Sequence, residues 1–123
     1  MEQKWDLEQR LLDYAARVVR LAEQLPNTRS GNHVAGQLLR SGTSPLANHG
    51  EAQSAESKKD FVHKMKVCLK ELRESHRWLL LCKSVPLIKP ASKVDALITE
   101  TDELIAIFFT SIRTASKASK GRT

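Results

Sequence analysis

SKKDFVHKMKVCLKELRESHRWLLLCK, residues 57–83, holds eight of the chain's twenty Lys and Arg residues against three acids, a local charge of +5 out of a total of +6. Phe61, Met65, Cys68, Leu72, Leu79 and Cys82 recur at steps of three, four and seven, so they share one face of a helix with 3.6 residues per turn. Lys59, Lys66, Lys70, Arg73 and Arg77 recur at the same steps on another face. A helix that is apolar on one side and cationic on the other is an element of a helical bundle, with its positive stripe turned toward solvent or an acidic partner.

Around this stretch the composition is that of an ordinary folded domain. With 123 residues, 41% of them hydrophobic and 28% charged, the chain can bury one core without disulfides or metals and is not globally disordered. Five Gly, four Pro and 5% aromatics, set among Leu, Ala, Lys, Glu and Arg, favour an all-helical class over any sheet. No run approaches the roughly 18 apolar residues of a membrane span. The start, Met1-Glu-Gln-Lys-Trp-Asp, lacks the basic and apolar regions of a signal peptide, so a cytoplasmic location without membrane contact is expected. Cys68 and Cys82, about 21 Å apart along one helix, lie beyond disulfide reach and read as reduced core thiols.

Outward from the quoted helix, each neighbour has its own start and stop signals. The first helix is expected from an Asp6 N-cap to Leu25, where Pro26-Asn27 ends it. The second, Asn32 to Ala55, contains Gly36, Gly42, Pro45 and Gly50, and a kink or break is expected around Ser41 to Pro45. Ser57-Lys58-Lys59-Asp60 forms a capping box at the head of the third helix, which stops before Pro86. A similar box, Ser92-Lys93-Val94-Asp95, opens the fourth, whose stripe of Val94, Leu97, Ile98, Thr101, Leu104, Ile105, Phe108 and Ile112 runs to about Ala115. Residues 116–123 read as a basic disordered tail after a single domain spanning 1–115. Helices of roughly 20 to 27 residues with short connections make an antiparallel up-down-up-down four-helix bundle, with a kinked second helix, the expected all-α fold.

Catalytic and metal-binding patterns are absent from this reading. Ferritin-like bundles use Glu-x-x-His pairs, and here only His49-Gly-Glu51 and Glu74-Ser-His76 come near, at a spacing that points the two side chains apart. No metal and no cofactor is expected, and His33, His49, His63 and His76 read as surface or interface residues. Both cysteines fall on the apolar face, where a thiol stays protonated, and no glycine-rich phosphate loop occurs. The chain is therefore read as no enzyme. Gln37, Arg40, Asn48 and Glu51 on the second helix can meet Glu71 and Glu74 on the third as a structural polar network that fixes helix register, with Arg40 answering a carboxylate. Trp5, Leu12, Val19, Leu39, Leu46, Val62, Leu69, Trp78, Leu80, Ile107 and Phe109 exceed what one small core needs and favour a homo-oligomer.

Leu25-Pro26, Gln37-Leu38-Leu39-Arg40, Ser44-Pro45-Leu46-Ala47-Asn48, Glu51-Ala52, Ser57, Asp60-Phe61, Lys64, Leu69-Lys70-Glu71, Glu74 and Trp78-Leu79 together form a pattern. It resembles that of the bacterial four-helix bundle proteins, among them proteins encoded in intervening sequences of 23S ribosomal RNA genes. The accessory variability proteins of diversity-generating retroelements are similar in fold. Where those relatives commonly carry Asn-Ile-Ala-Glu-Gly, this chain has Asn48-His49-Gly50-Glu51-Ala52. The resemblance implies an antiparallel bundle assembled as a homopentameric barrel with a central channel and a positive surface, and the retroelement relatives imply a nucleic-acid partner.

From the residues, the cationic stripe suits phosphate contacts from Lys59, Lys66, Lys70, Arg73 and Arg77, salt-sensitive and indifferent to base sequence. Further cations come from Arg10, Arg17, Arg20, Lys117, Lys120 and Arg122. RNA or a nucleoprotein is the partner this expects. The rival expectation is a protein-interaction scaffold whose cations only keep the assembly soluble.

Overall fold

The computed structural model describes residues 2–121, and side chains from 7 to 117. Four helices form, α1 Glu2–Gln24, α2 Arg29–Gln53, α3 Lys58–Ser84 and α4 Asp95–Gly121, with one 3-10 turn, Ala91–Val94, leading into α4 and no strand among the described residues. Short connections force sequential helices to run antiparallel, and the cross-helix pairs show it: Arg40 meets Glu71 and Glu74, Glu51 meets Lys64, Lys83 meets Asp95, and His76 meets Asp102. Arg10 with Glu100 and Glu103 closes the bundle antiparallel between α1 and α4. That last seam is the narrowest, while α2 and α3 pack most extensively. α1 and α3 thus lie on opposite sides of the bundle.

The core follows the period seen in the sequence. Met65, Cys68, Leu72, Leu79 and Cys82 of α3 are buried and Phe61 half-buried, while Val94 of the 3-10 turn and Leu97, Thr101, Leu104, Phe108 and Ile112 of α4 supply the facing buried stripe. Tyr14 and Thr101 share a buried 2.7 Å hydrogen bond. Since Thr101 Oγ1 donates to the Leu97 carbonyl at 2.7 Å, the Tyr14 hydroxyl is the donor of the pair. Cys68 and Cys82 are free and buried, and burial pushes their thiols up to about 12 and about 11.

Helix ends depart from expectation in four places. α1 begins at Glu2, so Asp6 lies inside the helix and is no N-cap. α2 starts at Arg29 on Thr28, whose Oγ1 accepts from the Gly31 amide at 3.1 Å. The fourth helix is entered through Pro90 without a side-chain cap, so Ser92 does not cap it. Its last turns continue to Gly121, making helical backbone of most of the expected disordered tail, while Arg122 and Thr123 lie outside the described residues. Only the third helix starts as read, with Ser57 Oγ accepting from the Asp60 amide at 3.0 Å.

The break expected between Ser41 and Pro45 does not occur; α2 is one helix with Pro45 buried inside it. Its neighbours hold the weak segment. Ser75 Oγ on α3 donates to Ser41 Oγ at 2.8 Å, and the Cys68 thiol approaches the Pro45 carbonyl at 3.6 Å. Gly42 lies against Val18 of α1, closely enough that an added Cβ would be 2.7 Å from Val18 Cγ1. The lost backbone donor of Pro45 is thus offset by contacts on both sides, an instance of tertiary packing overriding propensity.

Candidate functional site

Lys59, Lys66, Lys70, Arg73 and Arg77 are all exposed and occupy the side of α3 opposite its buried residues. At a rise of 1.5 Å per residue the stripe is about 27 Å long. Among the described residues none of the five makes an ion pair. The reason lies in where the acids of the same helix go. Glu71 and Glu74 turn toward α2 and both take Arg40, with Arg40 Nη1 donating to Glu71 Oε2 at 2.9 Å and Nη2 donating to Glu74. With Glu71 and Glu74 engaged sideways by Arg40, α3 turns its positive ridge outward.

The cluster around Arg40 also includes Gln37, whose Oε1 accepts from Arg40 Nη2 at 3.2 Å, and Trp78, whose Nε1 donates to Glu74 Oε2 at 2.9 Å. Asn48 and Glu51 do not join it. Asn48 Nδ2 donates within its own helix to Ser44 O at 3.1 Å, and Glu51 accepts from Lys64 Nζ at 2.6 Å. The Glu71 side chain is 15% exposed and Arg40 49% exposed, so the bridge is a half-covered clamp between α2 and α3, partly screened by water. Arg40→Gln is expected to lower stability by about 1 kcal/mol, because two neighbouring carboxylates lose their shared cation. Urea unfolding followed by tryptophan emission measures it, and an unchanged midpoint would show that the clamp contributes nothing.

Arg10, Arg17 and Arg20 do not extend the ridge. Arg10 is held bidentate by Glu100, with Nε donating to Oε2 at 3.0 Å and Nη2 to Oε1 at 2.7 Å, and reaches Glu103 as well. Arg17 and Arg20 line a groove on the α1–α4 seam, across the bundle from α3. Lys117 is exposed near the end of α4, and the side chains of Lys120 and Arg122 lie outside the described residues.

His49 departs most from the sequence reading, being a core residue at 2% exposure rather than a surface one. It stands edge-on to Phe108 with ring centroids 6.1 Å apart, and its Nε2 lies 3.3 Å from Gln53 Nε2. The signal was its spacing four residues after Pro45 and three before Ala52, both on the buried face of α2. His49 also borders a cleft of about 740 Å³ walled by Leu7, Phe61, Met65 and Ile107, with Gln53, Thr110 and Ser111 among its polar residues. His33 and His63 are exposed and His76 is half-buried against Asp102. Among the described residues no three metal-ligating side chains converge.

Of the surplus apolar residues, Leu12, Val19, Leu80 and Phe109 stand exposed, joined by Leu81 and Val85. Leu39, Leu46, Val62, Leu69, Trp78 and Ile107 are half-buried, and the side chain of Trp5 lies outside those described. Among the described residues no helix is long and apolar enough to cross a membrane.

Comparison with known proteins adds three findings. The family model described as 23S rRNA-intervening sequence protein matches residues 3–109. A crystal structure from Bacteroides thetaiotaomicron, of a protein of unknown function in the S23 ribosomal protein family, is similar at 31% identity with a TM-score of 0.80, over 86% of this chain and 97% of that one. No protein of curated description matches.

Proposed function

Because the chain belongs to the 23S rRNA-intervening sequence protein family, we propose that it is a non-enzymatic, cytoplasmic bundle protein that binds RNA through the α3 ridge and assembles as a homopentamer. The observation that supports RNA binding is the ridge itself: five exposed cations in one line, none paired to a carboxylate among the described residues, beside acids committed to Arg40. Phosphates of a backbone would release counterions on meeting it, so affinity falls steeply with salt and depends little on sequence. Support for assembly comes from the exposed Leu12, Val19, Leu80, Leu81 and Phe109, and the number five from the resemblance of the second and third helices to pentameric relatives.

Fluorescence anisotropy with a structured RNA at two salt concentrations tests the ridge. The double variant Lys66→Gln/Arg73→Gln is expected to bind about tenfold more weakly at low salt. Its log-affinity against log-salt slope should be shallower by about 1.4 to 1.8, the share of two phosphate contacts. Absence of binding by the parent protein at low salt rejects the reading. Light scattering on the same samples gives the assembled mass.

The exposed apolar residues also favour a second reading, a protein-interaction scaffold without nucleic-acid ligand. A Lys66→Glu/Arg73→Glu protein that falls apart, from a parent that never held RNA, would favour it.

A further inference from the structure

Arg10 and Arg17 lie seven residues apart on the side of α1 that faces α4, and their surroundings differ. Arg10 meets Glu100 and Glu103. Two turns on, where the antiparallel α4 and its 3-10 entry pass, Arg17 shares a groove of about 310 Å³ with Arg20, Gln24, Leu21, Leu97 and Lys93. No carboxylate lines this groove. The acids of the early α4 turns are used elsewhere: Asp95 holds Lys83 at 2.6 Å, and Glu100 holds Arg10.

The result is three cations around one concavity with no counter-ion among the described residues, Arg17 half-buried and Arg20 and Lys93 at the rim. Covering a guanidinium without an anion is unfavourable, so the groove is electrostatically unfinished. We propose that it binds a terminal phosphate group. Two arginine forks and a lysine offer more donors than the two oxygens of a carboxylate can accept, whereas a phosphate monoester presents three oxygens and a charge near −2. The volume, at the low end of ligand pockets, suits a compact anion seated on the Leu21 and Leu97 floor. The site is independent of the α3 ridge, which lies across the bundle.

Inorganic phosphate is the first probe, titrated calorimetrically at ionic strength held constant with chloride. Arg17→Gln is expected to weaken binding about tenfold or more, as loss of charge-assisted bonds does, and the rim variant Lys93→Gln gives a second reading should Arg17→Gln fold poorly. Lys66→Gln/Arg73→Gln is the control and should leave phosphate affinity unchanged, so failure here is distinct from failure of the ridge. Binding no stronger than in chloride, or undiminished in both groove variants, or lost equally in the ridge variant, overturns the proposal. The source of the phosphate is read from one oligoribonucleotide prepared with a 5′-phosphate and with a 5′-hydroxyl. Preference for the phosphorylated form, abolished by Arg17→Gln, assigns the groove to an RNA end; equal binding of the two, with inorganic phosphate still held, assigns it to a free small phosphate.

Discussion

Gly31→Ala is expected to destabilise the bundle by about 3 kcal/mol, with melting lowered by roughly 10 °C. A Cβ at this position would sit 2.0 Å from the Pro26 carbonyl oxygen and 3.0 Å from its carbon, both main-chain atoms that no rotamer change can move. Relief requires shifting the α1–α2 connection. That connection is itself bonded, for the Thr28 amide donates to Pro26 O at 2.8 Å and Thr28 Oγ1 caps the Gly31 amide. Moving Pro26 therefore breaks the turn and the N-cap together, the cap alone being worth about 1 kcal/mol. Alanine favours a helix over glycine by about 1 kcal/mol, too little to compensate. Gly36→Ala and Gly50→Ala are the controls: nothing lies within 4 Å of either added Cβ, so both should stabilise by about 0.5 to 1 kcal/mol. Calorimetric melting of the three variants decides, and a Gly31→Ala protein as stable as its parent would show that the connection yields freely.

Gly42→Ala is expected to cost about 2 kcal/mol for a different reason, because its obstacle is a side chain. The new methyl would stand 2.7 and 2.8 Å from the two γ-carbons of Val18, a fully buried β-branched residue with little χ1 freedom. Val18→Ala alone should also destabilise, by leaving a hole. Combined, the added carbon on α2 occupies space vacated on α1. The double variant should then be at least as stable as Val18→Ala, with a favourable coupling of about 2 kcal/mol or more from urea unfolding. Strict additivity would mean that α1 and α2 do not meet at this point.

These two glycines also explain what the sequence concealed. α3 was legible because its apolar period, its Ser57 cap and the Pro86 stop all specify one element. α2 was not. Its glycines and Pro45 lower local helix propensity, and their purpose, letting α1 and the preceding connection come close, exists only once the partners are in place. Asp6 and Ser92 are good caps by type, but Glu2 and the turn from Ala91 continue the helical path past them. Near the ridge, the meeting of Arg40 with Glu71 and Glu74 could be anticipated from opposite charges on successive helices. Asn48 found a partner four residues back in Ser44 and Glu51 a cation in Lys64, local choices that spacing alone does not rank. The groove at Arg17 was hidden because its members come from α1 and the entry to α4, distant in sequence and joined only by the closing seam.

The two thiols lend themselves to timing. Cys68 and Cys82 face inward on the longest-buried side of α3, and at neutral pH neither carries the negative charge that attacks an alkylating reagent or an oxidant. Sulfur chemistry must therefore wait until the third helix leaves its neighbours, and the rate at which iodoacetamide labels each position becomes a stopwatch for breathing of the molecule. Read separately at its two ends, such labelling would tell whether that helix peels from one terminus or lifts away as a unit.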